Sequence, residues 1–466
     1  MKSAGKFTFF TLYLIYILDL VGMVFVYIIV SPLIINPHFH MFASDTPIAT
    51  RNLVIGLLFA TYPFAQFFAA PILGDLSDRF GRKRILVIST LGTTLSIALS
   101  AISIYMSSLS LLFISRLLSG IFAGNLTVTQ ATVANLAPDE KKAHYMAIFS
   151  AVGGIGWTIG PFVAAFLSDP KIFPFFDLAT PFWFLASLFF LSFLFLIFSL
   201  QEPTQAKPGQ KLHLSKIAPR GYRKKISSEK VLHSEKVQGG RCKEPQSGFL
   251  KEDNDEIFSM KDKSRVNLLA IPSNLLSVFK VKNILVPFLA SLFTIFGWMV
   301  YQGFLAPYLI EKYGFTERWE GYAYALSSLF WFFGGMLSNK WVLKHHPAKR
   351  AIIIPMFLSG LAVLLFLIAF RSYWTWPLMA IANLTQAIVT ACFFTLFAQL
   401  VPPEGQGKIF GSWNAGFALA SSLGPFLASI FVRFQINLPY LIAAAILIIT
   451  GIYYLLWYRR KGSSLA

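Results

Sequence analysis

Long apolar runs separated by short polar connections fill most of this chain. Runs long enough to cross a hydrocarbon layer of ~30 Å, which takes about 20 helical residues, lie near 8–35, 52–74, 84–106, 109–135, 143–168 and 180–200. A second set lies near 283–310, 320–340, 350–370, 374–400, 407–432 and 438–458. Lipid offers no hydrogen-bond partner to an open backbone, so each run is predicted to be a helix. The expected fold is an all-α polytopic membrane protein whose twelve spans form two pseudo-symmetric six-helix bundles, 1–200 and 283–466. Between them, 201–282 has another pattern: over about 203–263 it is rich in Lys, Ser, Gly and Glu and poor in apolar residues, the composition of a disordered tether. A regulatory segment is the other reading of that linker. Its last part, Val266 to Phe279, spaces Leu268, Leu269, Ile271, Leu275, Leu276 and Val278 as a short amphipathic stretch suited to the membrane surface.

Composition agrees: 56% of the 466 residues are hydrophobic and only 13% are charged, too apolar for a soluble core to absorb. A net charge of +19 would point to nucleic acid in a soluble protein. Here the cations sit in the linker and in alternate connections, at Arg79, Arg82, Lys83, Arg84, Lys141, Lys142, Lys340, Lys344, Lys349, Arg350, Lys408, Arg459, Arg460 and Lys461. That distribution puts these loops, both termini and the linker on the cytoplasmic side, against anionic head groups, and leaves no case for nucleic-acid binding. The apolar run after Met1–Lys6 is too long for a secretory signal and has no small-residue cleavage site, so it reads as the first span. Cys242 and Cys392 make neither a disulfide framework nor a metal cluster, and the seven histidines lie in or beside loops, so no metal or cofactor is expected. No grouping of nucleophile, base and orienter is visible, so the chain is not expected to be an enzyme.

The halves resemble each other. Leu136-Ala137-Pro138-Asp139-Glu140 matches Leu400-Val401-Pro402-Pro403-Glu404, and Gly160-Pro161-Phe162 matches Gly424-Pro425-Phe426, at one offset along the chain. Gly335-Met336-Leu337-Ser338-Asn339-Lys340 echoes the charged run that follows the second span. Such repeats imply two bundles around a midplane cavity.

Asp19 is read as the one acidic residue deep within an apolar span. An ionised carboxylate at that depth costs several kcal/mol unless it is paired, protonated or wetted. Proton coupling is the functional reading, and a hydrogen bond to a neighbouring helix is the structural one. Arg116, about two turns into the fourth span, is its natural partner, unless its guanidinium snorkels to the interface. Gln66, Asn125, Gln130, Tyr301, Gln302, Trp331, Asn383, Gln386 and Asn414 are candidate cavity residues by type and depth, though polar residues inside spans often glue helices together. Few charges and many aromatics point to an amphipathic or weakly cationic organic ligand rather than a phosphate or dicarboxylate.

Three motifs carry a family resemblance. Gly74-Asp75-Leu76-Ser77-Asp78-Arg79-Phe80-Gly81-Arg82-Lys83 resembles the loop 2–3 signature of the major facilitator superfamily at every specified position. Arg116 followed by Gly120 and Gly124 resembles the family's fourth-helix motif, with Ser119 where Gln is common. Gly153-Gly154-Ile155-Gly156-Trp157-Thr158-Ile159-Gly160-Pro161 resembles the fifth-helix motif of its proton antiporters, with Ala164 and Ala165 replacing a glycine pair. Asp19-Leu20-Val21-Gly22 with Pro32 is similar to the start of the tetracycline and multidrug efflux branch, although the third span holds no carboxylate. The resemblance implies alternating access, with Gly74, Asp78, Arg79, Gly81 and Arg82 gating between the halves and stabilising the outward-facing state. It implies Asp19 and Arg116 in proton coupling, and a helix-five seam at Gly153, Gly156, Gly160 and Pro161. A proton-coupled, monomeric exporter of a drug or metabolite in the bacterial inner membrane is therefore expected. A symporter for nutrient uptake and a non-transporting scaffold or sensor are the alternatives.

Overall fold

The computed structural model describes residues 6–36, 39–43, 45–138, 142–200, 284–369, 371–401 and 403–461, so the linker with its amphipathic end lies outside the described residues. The first half contains α1 (Lys6–Ile35), α2 (Ile48–Phe80), α3 (Arg82–Tyr105), α4 (Leu109–Phe122), α5 (Asn125–Leu136), α6 (Lys142–Leu167) and α7 (Thr180–Ser199). In the second half α8 (Leu285–Gly303) runs into α9 (Leu305–Tyr313), and α10 (Glu317–Leu337) passes through a π turn, Ser338–Val342, into α11 (Leu343–His345). There follow α12 (Ala348–Ala351), α13 (Ile353–Leu367), α14 (Ser372–Leu400), α15 (Pro403–Phe431) and α16 (Leu438–Lys461).

Ten spans among the described residues are long and apolar enough to cross a membrane; α4 with α5, α8 with α9 and α12 with α13 each count as one. The two remaining places in the pattern belong to α6, whose apolar part is Val152–Leu167, and α10, whose first turn carries Glu317, Arg318 and Glu320. Both halves pack by one plan. In the first, α1 lies on α6 and α7, α2 on α4, and α3 on α7; in the second, α8 lies on α15 and α16, α10 on α14, and α13 on α16. The matched glycines obey it too, Gly160 facing Val21 of α1 and Gly424 facing Met299 of α8. Lipid tails are as apolar as leucine, so these seams hold by close van der Waals packing rather than by exclusion of water.

Alternate connections place the basic residues of the α2–α3, α10–α12 and α16 ends together, at what we call the basic end. The other end is tied by Arg51, which is buried. Its Nε donates to the Thr46 carbonyl (3.2 Å), Nη1 to Ile34 and Ile35 (3.1 Å each) and Nη2 to Ala43 (3.1 Å). A cation on the last carbonyls of α1 satisfies groups that a helix C-terminus leaves open and complements its dipole.

The halves meet through α2 on α15 and α6 on α10, with α1 also touching α9 and α10. Away from the basic end this seam is tight. A Cβ at Gly56 would strike Ser429, and one at Gly321 would strike Ala165. There Asn52 donates to Glu311 at 2.7 Å and Arg318 lies 3.8 Å from Asp169, each pair crossing between halves. At the basic end the same helices carry Gly74, Gly335 and Gly411, whose added Cβ atoms would meet nothing within 4 Å. The bundles are thus drawn together at the end away from the basic one, while these three glycines face open space at the other.

Gly81 joins α2 to α3 at φ 98° and ψ 142°, a conformation costing a side-chain-bearing residue about 1–3 kcal/mol. Gly81→Ala should therefore lower the thermal unfolding midpoint in detergent, whereas Gly335→Ala, helical and unobstructed, should leave it unchanged or raise it slightly.

Candidate functional site: two adjoining cavities

Asp19 sits mid-way along α1 and is 4% exposed, with neither carboxylate oxygen hydrogen-bonded. Arg116 of α4 is 2% exposed, which removes the snorkelling alternative. Its guanidinium carbon lies 4.8 Å from the centre of the Tyr62 ring, and its Nε has no hydrogen-bond partner. Asp19 and Arg116 form no direct ion pair but line the same cavity, with Gly22, Tyr62, Thr93, Ile97, Ser119 and Phe189. Its volume of about 10 Å³ is room for roughly one water molecule. Ser119, at the position where the motif departs from its usual Gln, is one of the lining residues.

The fifth-helix motif explains how α1 comes so close. Gly156 would carry a Cβ 3.1 Å from Ile17, Gly153 one 2.5 Å from the Tyr16 hydroxyl, and Gly160 one 3.4 Å from Val21. These glycines therefore form a seam with α1 inside the first bundle, not at the junction of the halves. The other face of α6 meets the second bundle, where Thr158 Oγ1 donates to the Ser328 carbonyl (3.3 Å).

A second cavity of about 90 Å³ lies between the halves, lined by Tyr27, Trp157, Trp298, Met299, Gln302, Ser328, Trp331, Asn383 and Phe417. Three of the nine residues named from sequence, Gln302, Trp331 and Asn383, line it. The others sit elsewhere. Gln66 donates to the Ala123 carbonyl (3.1 Å) at the α4–α5 break, and Gln386 receives Ser359 across α13–α14 (3.4 Å). Asn125 is buried at the start of α5, Tyr301 packs among Trp298, Phe366 and Tyr440, and Gln130 and Asn414 are half-buried outside both cavities. Tyr27, Trp157, Trp298 and Phe417 escaped sequence reasoning, because an aromatic inside an apolar span carries no mark separating a cavity wall from a lipid face. Beside the cavity, Tyr27 stacks on Tyr324 across the halves with ring centres 6.2 Å apart.

A second acid is buried at a helix start outside the ten long apolar spans. Glu320, in the first turn of α10, is fully buried near Tyr324. The loop 2–3 residues keep to their own half in the contacts described: Arg79 pairs with Asp75 (3.0 Å), Arg82 lies 3.7 Å from the exposed Asp78, and Arg82 Nη1 donates to the Ala131 carbonyl of α5 (2.6 Å).

The profile of the Major Facilitator Superfamily matches residues 12–425 and 288–465. The chain belongs to that superfamily. Among relatives, the class E tetracycline resistance protein of Escherichia coli is 24% identical over 375 residues, covering 79% of this chain and 76% of that protein. The class H protein of Pasteurella multocida is 35% identical over 156 residues, 34% of this chain and 36% of its own length. Of solved structures, the human organic anion transporter MFSD10 (TETRAN) is 18% identical, covers 96% of this chain and 99% of its own, and superposes with a TM-score of 0.61. A bacterial homologue of the human lysosomal transporter Spinster, inward-facing and occupied, is 14% identical, covers 98% of each chain and gives 0.68. These structures share the fold. The chain is a multi-pass membrane protein of a transporter superfamily whose likeness to the tetracycline efflux branch runs along most of its length.

If the seam away from the basic end is closed as described, Asn52→Cys combined with Glu311→Cys, in a chain with Cys242 and Cys392 changed to Ser, should join on addition of a short bifunctional methanethiosulfonate. Gel mobility after cleavage of the linker region reads the result. Two fragments that run separately would show the halves parted there.

Proposed function

We propose that this transporter exports a small amphipathic organic compound, a drug or a metabolite, in exchange for protons. The observation that carries the reading is the unpartnered carboxyl of Asp19, facing Arg116 across a cavity large enough for a single water molecule, one helix away from an aromatic cavity between the halves. A buried carboxyl with no fixed partner is a place where a proton can be held and given up, and the adjoining guanidinium stabilises the anion when the proton leaves. When the bundles part at the basic end, read as cytoplasmic, substrate enters while Asp19 loses its proton to the cytoplasm. Protonation from the opposite side accompanies release. Proton and substrate thus favour different states of one two-state bundle, and each displaces the other. The loop 2–3 residues Gly74, Asp78, Arg79, Gly81 and Arg82 act as the gate at the basic end, engaging the second half when that end closes.

Three indoles, two other aromatic rings and two amides, with no ionised group among the lining residues, suit an organic cation or neutral amphiphile recognised by ring faces. The volume in this state is below the ~300–1,000 Å³ of drug-sized sites, so a larger compound requires its aromatic walls to move apart. By the same reading the protein sits in a bacterial inner membrane as a monomer, both termini cytoplasmic.

The test is transport of ethidium into everted proteoliposomes driven by a pH gradient. Native protein should concentrate the dye only while the gradient stands, and Asp19→Asn should lose at least a factor of ten in the gradient-driven rate, with binding retained. Equal gradient-driven transport by both proteins would overturn the coupling role of Asp19, and movement of substrate down the proton gradient in the same direction as the proton would replace export by uptake.

A further inference from the structure

Resting on the proton-coupled reading, we infer that Tyr62 is the positioning residue through which the Asp19–Arg116 cavity and the aromatic cavity sense each other. Tyr62 lies on α2, in the wall of the smaller cavity. One face of its ring receives the Arg116 guanidinium at 4.8 Å, and the residue lines the small cavity beside Asp19. Tyr62 also belongs to a compact cluster with Met23 and Ala123, against which Trp157 and Phe417 pack. Trp157 and Phe417 are walls of the aromatic cavity. The cluster that holds this ring therefore links the Arg116 guanidinium to the indole and phenyl groups that would touch substrate, and Tyr62 is 5% exposed, with no solvent in which to relax.

The physics favours transmission by the ring. A guanidinium over an aromatic face is held by the ring quadrupole, an attraction that strengthens when both groups are desolvated. When Asp19 is an anion, Arg116 is drawn towards it and away from the ring; when Asp19 carries a proton, that pull is gone and the ring holds the cation. The ring moves with its cation, and the close-packed cluster of Met23, Tyr62 and Ala123 passes the shift to Trp157 and Phe417, which pack against it. Substrate pressing on those two walls works backwards along the same contacts, as linkage requires.

The titratable and charged groups around this point are few. Tyr16 of α1 and Tyr62 of α2 lie within electrostatic reach of Asp19, and Tyr62 and Tyr27 within reach of Arg116. The residues that α3, α6, α7 and α15 turn to the two cavities, Thr93, Ile97, Trp157, Phe189 and Phe417, carry no charge. Tyr27 itself lines the aromatic cavity, so it offers the one parallel route.

The test uses full-length protein labelled with fluorotryptophan in lipid nanodiscs, with fluorine NMR over a pH series and Trp157→Phe to assign the Trp157 resonance. Native protein should show one pH transition at Trp157 that Asp19→Asn abolishes. Tyr62→Phe, which keeps the ring, should preserve the transition; Tyr62→Leu should abolish it, while the Trp457 resonance at the far end of α16 stays in place as the sign of an intact fold. A Trp157 transition that survives in Tyr62→Leu overturns the inference, as does loss of the transition in Tyr62→Phe, since that would place the effect in the hydroxyl. A native resonance flat across the series also overturns it, and leaves proton coupling to stand or fall on the ethidium assay, which does not depend on Tyr62.

Discussion

A membrane interior leaves a buried carboxyl group no water to fall back on, and the arrangement of the first bundle follows from where that group sits. Asp19 lies in the middle of α1 with both oxygens unpartnered, and Arg116, on a different helix, is buried as deeply. The cost of keeping two such groups in lipid-spanning helices is several kcal/mol each unless the surroundings answer them. The surroundings do so by a small shared cavity and by the face of Tyr62. The glycines of α6 bring a neighbouring helix against α1, and Gly120 lets α4 pack so close that a Cβ there would strike the Tyr62 carbonyl. A small-residue seam thus has a chemical consequence, since it sets how near the carboxyl and the guanidinium come to the aromatic wall.

The same logic operates between the halves. Gly56 and Gly321 permit contact where the seam is closed, while Gly74, Gly335 and Gly411 face open space at the basic end. Helices with small residues at both ends can close at either one without new cavities or clashes, and this is the physical requirement of a bundle with two access states. The short charged run after α2 sits at the basic end, with Arg79 paired to Asp75 and Arg82 beside the exposed Asp78.

Much of this was legible in the sequence, and the reasons are specific. Apolar runs report spans because hydrocarbon thickness fixes their length, and the boundaries near 84–106 and 109–135 agree with α3 and with α4 followed by α5 within a residue or two. Asp19 and Arg116 stand out because charge inside such a run is rare. The cavity walls did not, since 48 phenylalanines and 10 tryptophans in one chain make an aromatic uninformative by type alone. Glu320 was missed for the opposite reason: it opens α10, where an acid looks like an ordinary first-turn residue, and its full burial comes from packing by other segments. Polar amides such as Gln66 and Gln386 look the same whether they face a cavity or staple two helices, and here they staple.

The most direct measurement is infrared difference spectroscopy of the protein in lipid, recorded between alkaline and acidic pH. A carboxylic-acid carbonyl band that grows as the pH falls, and is missing from Asp19→Asn, would show that this buried group takes up the proton. Identical difference spectra for the native and substituted proteins would contradict the account, because the proton would then be binding somewhere other than Asp19.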